Sequence, residues 1–179
     1  SVIMVIDCAN GVEAQTEKLM EVCRMRDTPV IVFINKMDRE GHDAFDLLDE
    51  IESKLKIKVR PMSWPIGIGA TFKGVYHIQK DELNLFDGNK TNIEKNVIKT
   101  KGINDQALSD LIGDEATEIL REEVELVDGV YDEFDREKYL EGKIAPVFFG
   151  SALNNFGVQE LLDSFIDISP FPQGRSTEK

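Results

Sequence analysis

Residues 30–38, VIVFINKMD, constrain this chain more than any other stretch. Five apolar, mostly β-branched residues in succession lack the alternation of a half-exposed strand. They predict a strand buried on both faces, which must be covered by a layer on each side. The run then ends abruptly in an amide, an ammonium and, two residues on, a carboxylate. The flanking text supplies the layers. Residues 1–7, SVIMVID, form a second run of strand length that also reads as buried on both faces. Between the two, residues 13–26 have helical spacing through Leu19, Val22 and Cys23. Asp27-Thr28-Pro29 stops that helix, because proline disfavours helical backbone in the residue before it. Downstream, Asp43 is expected to cap a helix with Phe45, Leu48, Ile51 and Leu55 on one face. A strand-helix-strand-helix order predicts a parallel sheet with right-handed crossovers.

The alternation breaks over residues 58–143. Lys54, Lys56, Lys58 and Arg60 alternate with apolar residues, a face expected to be solvated. SWPIGIG is rich in turn formers, and FKGVYHIQ and NIEKNVIK read as short strands. Helical patterns return at residues 105–112 and 114–127, the latter with Ala116, Ile119, Leu120, Val124 and Val127 on one side. Residues 145–150 form another buried strand. Val158, Leu161, Leu162, Phe165 and Ile166 mark a last helix ending before Pro170. The expected fold class is thus α/β. Core residues 1–57 and 144–170 make a partial doubly wound parallel sheet, interrupted by an α+β insertion at 58–143 and followed by a linker at 171–179. An insertion of roughly 85 residues is large enough for a modest core of its own.

Charge narrows the partners. A net charge of −13 repels polyanions, so direct sequence-specific nucleic-acid binding is not expected. No run of about 18 apolar residues occurs, so no membrane partner is expected. Cys8 and Cys23 lack metal-type spacing and read as free thiols in a reducing, cytoplasmic setting. The opening, already inside an apolar strand and without a basic lead-in, suggests a piece of a larger protein.

Open parallel sheets bind ligands beyond the carboxyl ends of their strands. Asn35, Lys36 and Asp38 fall at one such end, and Ser151, Ala152 and Leu153 at another. Their chemistry suits guanine, which presents N1–H and an exocyclic NH₂ side by side, with O6 and N7 as acceptors. The Asp38 carboxylate can accept both donors, and the Asn35 amide can serve the acceptor edge. The Ala152 backbone N–H can reach O6, and the aliphatic stem of Lys36 can lie along base or sugar. Adenine would leave Asp38 facing an acceptor. A charged hydrogen bond contributes about 1.5–3 kcal/mol, and an unpaired buried partner costs a similar amount. Pockets built this way discriminate by roughly 10⁴-fold.

Other signals are weaker. Asp38-Arg39-Glu40-Gly41 fits D-x-x-G but overlaps the first motif and reads as a helix-entry loop. Gly67-Ile68-Gly69 lacks the third glycine of a dinucleotide fingerprint, and no G-x-x-x-x-G-K-[ST] loop occurs. His42 and His77 have no visible partners and are assigned to surface or loops. Between Asp114 and Asp135 ten acidic residues face Arg121 alone, so this helix presents an anionic side to solvent or to a basic or apolar partner helix.

Four stretches carry a resemblance. IDCANGVEAQTEKLMEVCRMRDTPVIVFINKMDR resembles the translational GTPases. SWPIGIG, FKGVYHIQKDE and PVFFGSALNNFGVQELLDSFIDISPFPQGR resemble the peptide chain release factor 3 family, with elongation factor G as the alternative. The resemblance implies a P-loop GTPase-like G domain lacking its N-terminal half, whose base-recognition residues are Asn35, Lys36, Asp38, Ser151, Ala152 and Leu153. It implies GTP or GDP as ligand, and Mg²⁺ in the full-length parent through residues outside this chain. It implies an insertion that faces the large-subunit stalk protein, and the ribosome and, indirectly, class I release factors as partners. By itself the chain is expected to bind guanine nucleotide weakly at best and to hydrolyse no GTP. The edge of its first strand, bordering an absent strand, is expected to be exposed and able to pair with another copy.

Overall fold

The computed structural model describes residues 1–86 and 97–171. Along the chain run β1 (Val2–Asp7), α1 (Ala14–Met25), β2 (Val30–Asn35), α2 (Ala44–Leu55), β3 (Lys58–Pro61) and β4 (Ser63–Ile66). Then come β5 (Gly74–His77), β6 (Glu82–Leu85), β7 (Val97–Lys99), α3 (Gln106–Ile112), α4 (Asp114–Val130), α5 (Arg136–Leu140), β8 (Ile144–Phe149) and α6 (Val158–Ile168). Most of NIEKNVIK and of the linker at 171–179 lies outside the described residues.

The first sheet has the order β1-β2-β8-β3 and every pairing in it is parallel. Its two central strands are apolar up to Asn35, the last residue of β2, because both faces are covered. Met4, Ile6, Val32, Ile34, Val147 and Phe149 share one core with Met20 and Cys23 of α1 and Leu47, Leu48, Ile51 and Leu55 of α2. Ile31, Phe33, Ile144 and Phe148 share another with Tyr139 of α5 and Leu161 of α6. Successive strand residues point to opposite faces, so each strand feeds both cores. Asp43 caps α2 as expected, its carboxylate accepting from Phe45 N at 2.8 Å.

Three expectations are corrected. β1 lies at the edge of its sheet among the described residues, in keeping with the exposed edge expected of it, but it is not buried on both faces, since Val5 is 55% exposed. An apolar run cannot by itself reveal whether a neighbour covers it. In α1 the buried positions are Met20 and Cys23, while Leu19 and Val22 are exposed. Residues 58–61, which the sequence pattern assigns to the insertion, lie in the first sheet beside β8. The basic alternation concealed this, because Arg60 is only 4% exposed and not solvated. It donates to Asp128 Oδ1 at 2.7 Å and to the Tyr131 carbonyl at 3.3 Å.

The second sheet is antiparallel, in the order β4-β5-β6-β7. Met62 joins the sheets. Its N–H donates to Val147 O at 2.9 Å, and its carbonyl accepts from Ile78 N at 3.0 Å. Trp64, Tyr76, Leu83, Leu108, Leu120, Val124 and Val127 belong to the same core as α2 and β2. The inserted elements thus extend the main core instead of holding a separate one. His77, assigned to surface or loop, is a strand residue only 3% exposed. No helix among the described residues is long and apolar enough to cross a membrane.

Candidate functional site

β2 and β8 lie side by side, in register from Val32 opposite Val147 to Ile34 opposite Phe149. Their carboxyl ends therefore release two loops at the same rim. Gly150 N donates to Ile34 O at 2.9 Å, and Met37 N donates to Gly150 O at 3.1 Å. Gly150 itself has no room for a side chain, since a Cβ there would sit 2.3 Å from Phe156 O of its own loop and 2.8 Å from the Phe33 ring of β2. The second loop closes on itself. Ser151 N donates to Phe156 O at 3.0 Å and Phe156 N donates to Ser151 O at 2.9 Å, around a 3₁₀ turn at Ala152–Asn154.

Side chains fasten the loops together. Asn35 Oδ1 accepts from Lys36 N and from Ala152 N, each at 2.8 Å. Its Nδ2 donors remain available for an acceptor. Lys36 adopts the left-handed conformation with φ of 69°, an uncommon state for a residue with a Cβ and one that accumulates at ligand sites. Its ammonium pairs with Asp7 at the end of β1. That hydrogen bond holds the Asp7 carboxyl below its ordinary range, against the opposing effect of burial. Burial, reinforced by Asp7 and Asp38, pushes the Cys8 thiol upward, and its sulfur lies 3.1 Å from the Lys36 carbonyl.

Asp38 is the chemically informative group. Oδ2 accepts from Asn154 Nδ2 at 3.1 Å, whereas Oδ1 is buried and has no hydrogen-bond partner among the described residues. Carboxylate oxygens enclosed by protein are almost always paired. An enclosed acceptor without a partner, at the meeting of two loops, suits a ligand that brings donors. Ser151 is buried, and its Oγ accepts from Asn154 Nδ2 at 3.0 Å. Leu153, in the same turn, is 66% exposed and takes no part in these bonds.

The six expected residues thus lie on two adjoining segments, joined by two separate sets of hydrogen bonds, Asn35 with Ala152 and Asp38 with Ser151 through Asn154. One detail differs from expectation. The Ala152 N–H, assigned to a ligand oxygen, is already used by Asn35. Sequence reading also missed Asn154 and Asp7. Asn154 directly follows Ser-Ala-Leu but obeys no spacing rule, and Asp7 becomes Lys36's partner only through parallel pairing of β1 with β2. A third contact comes from the insertion, where Gly69 N donates to Met37 O at 2.9 Å. A cleft of about 330 Å³ lined by Pro65, Ile66, Thr71, Ile119 and Glu123 shares no residue with this rim. Among the described residues no three His, Cys, Asp or Glu side chains converge as a metal site. No residue here is therefore assigned to magnesium.

The rim offers an acceptor pair at Asp38, amide donors at Asn35 and a rigid two-loop frame, a set suited to a purine with adjacent donors and acceptors. The elongation factor Tu GTP-binding domain matches residues 1–170 of the sequence. Guanine-nucleotide binding and GTPase activity are the properties that this family implies. The chain belongs to the family of the elongation factor Tu GTP-binding domain, the G domain of the translational GTPases.

Proposed function

We propose that this chain is the guanine-recognition part of a cytoplasmic translational GTPase of the peptide chain release factor 3 type. The observation that carries the base assignment is the enclosed, unpartnered Asp38 Oδ1 beside an Asn35 side chain already tied to Ala152. In this reading Asp38 accepts N1–H and the exocyclic NH₂. Asn35 Nδ2 donates to the acceptor edge. The Ala152 N–H reaches O6 by sharing its hydrogen with Asn35, as three-centre bonds do. The Lys36 stem lines the base while its ammonium stays on Asp7. Ser151 supports Asp38 through Asn154, and Leu153 shields the base from solvent.

Hydrolysis is not assigned to these residues. Phosphoryl transfer requires a phosphate cradle, a metal ion and a positioned water. The sequence contains no G-x-x-x-x-G-K-[ST] loop to supply the cradle. The release-factor reading is supported by SWPIGIG and PVFFGSALNNFGVQ, and elongation factor G remains the alternative. GTP-dependent displacement of a class I release factor from ribosomes after peptide release, by the full-length protein, supports the first. Translocation activity without displacement selects the second.

The base assignment is tested by titrating the chain with millimolar GDP, XDP and ADP. GDP should bind best. Xanthine carries a carbonyl where guanine carries NH₂, so Asp38→Asn should move preference toward XDP by at least about tenfold. An unchanged order of preference removes Asp38 from the site.

A second reading concerns α4. Glu118, Glu122 and Glu125 are exposed together with Ile119, Leu126 and Val130. An anionic helix face with an apolar stripe suits a basic helix of the ribosomal stalk protein. Glu122→Lys with Glu125→Lys should weaken that binding, read by titration with isolated stalk protein. Glu123 is left unaltered, because its carboxylate accepts from Trp64 Nε1 at 2.7 Å. No change in affinity would exclude this face.

A further inference from the structure

We propose that Asn154 is a positioning residue that sets the preference of this site for purines carrying a 2-amino group. The inference rests on the guanine reading above and concerns a residue outside the two recognised motifs. A carboxylate turns easily about its last torsion, whose profile is broad and two-fold. Asp38 therefore needs an external holder if both oxygens are to meet two parallel donors at once. Asn154 is that holder. Its Nδ2 carries two hydrogens, and both are committed, one to Asp38 Oδ2 at 3.1 Å and one to Ser151 Oγ at 3.0 Å. Ser151 is only 1% exposed and its backbone is locked to Phe156, so the chain of bonds ends on a rigid anchor. The link crosses 116 residues of sequence and joins the two loops at the side-chain level.

The chemistry of the holder matters. An amide fixes the plane of the carboxylate while leaving its charge intact. Each carboxylate oxygen accepts about two hydrogen bonds, so one bond to Asn154 leaves Oδ2 able to accept again. Oδ1 has no hydrogen-bond partner among the described residues. Bonds to the described residues thus exhaust neither oxygen's capacity to accept, and Asn154 holds their plane in one orientation. Guanine offers two donors to that plane, and hypoxanthine offers N1–H alone. Freeing the carboxylate should therefore weaken guanine more than hypoxanthine, because a turning acceptor loses the second bond first.

The test compares GDP with inosine 5′-diphosphate on the chain and on Asn154→Ala, Asn154→Asp and Asp38→Asn, with melting temperatures for each. Asn154→Ala should weaken GDP about fivefold to tenfold and the inosine nucleotide no more than about twofold. Asn154→Asp sets a second carboxylate against Asp38 and should weaken GDP further. An equal loss of both nucleotides in Asn154→Ala would mean a structural role only and would overturn the inference. So would an unchanged affinity for both. If Asp38→Asn shifts preference toward XDP while the GDP-to-inosine ratio ignores Asn154, the guanine reading stands and this inference alone fails. If Asp38→Asn shifts nothing, or the unaltered chain binds no GDP at millimolar concentration, both fall.

Discussion

The rim above β2 and β8 and the seam between the two sheets both bury polar atoms without partners, yet the two places differ in kind. At the rim, Asp38 Oδ1 is enclosed where two loops converge and where Asn35 keeps free donors. At the seam, both nitrogens of His77 and Nε of Arg60 lack partners. His77 packs against the Phe148 ring, with centroids 6.3 Å apart, and Arg60 is already anchored by Asp128. The seam orphans are surrounded by packed side chains and serve to fit two layers together. A buried unpaired atom points to a ligand when complementary polar groups surround it, and to a tolerated packing cost when they do not.

The sharpest way to break this comparison is Phe149→Ala. Phe149 ends a rim strand, has no exposed surface and meets Trp64 of the second sheet at a ring separation of 5.6 Å. Truncation should cost about 3–5 kcal/mol in denaturant unfolding. Because one core spans both sheets, the loss should appear in a single transition. Two separated transitions would show that rim and seam fold independently.

Acid should act at the seam next. Burial pushes the His77 imidazole down to about 4 from its ordinary 6.5, with Lys80 adding to the shift. The folded state therefore favours the neutral ring. Below pH 6.5 the unfolded chain takes up a proton that the folded chain refuses, so stability falls until about pH 4 and then levels. The loss is on the order of 3 kcal/mol, and His77→Leu should abolish this part of the pH dependence without changing GDP affinity. Retention of the full acid slope in His77→Leu would assign it elsewhere.

Removing the Arg60 partner should matter less. Asp128→Ala leaves a buried guanidinium with the Tyr131 carbonyl alone, but the Asp128 side chain is 54% exposed and water can replace it. A loss of about 1–2 kcal/mol is expected. The smallest effect belongs to the rim. Asp38→Ala removes one unpaired acceptor oxygen and a single bond from Asn154, so stability should change by no more than about 1 kcal/mol while guanine binding is lost. A large destabilisation would make Asp38 a structural residue like Arg60 and erase the contrast.

Much of this was legible in the residues. VIVFI and APVFF are too continuously apolar for anything but central strands, and both are buried throughout. Asp43 announces α2 because a carboxylate before a helical stripe satisfies free N–H groups. The pair of rim segments followed from the rule that ligands gather at carboxyl ends of parallel strands. Less was visible where one-dimensional pattern and three-dimensional neighbourhood part. Leu19 and Val22 have helical spacing but face outward, and Arg60 looks solvated but is buried. Asn154 resembles any loop asparagine until the register of β2 against β8 sets it over Asp38.

Local sequence by itself determined which segments become strands and helices, and which polar types stand at the strand ends. Hydrophobic periodicity, caps and turn residues act over a few positions, so they can be read without a structure. Only tertiary structure decided which of those polar groups meet. Asp7 with Lys36, Asn35 with Ala152, and Asp38 with Asn154 and Ser151 are all products of parallel strand register, which pairs residues up to 117 positions apart. A hydrogen bond depends on tenths of an ångström and on who else competes for each acceptor, and neither is written in the order of the residues.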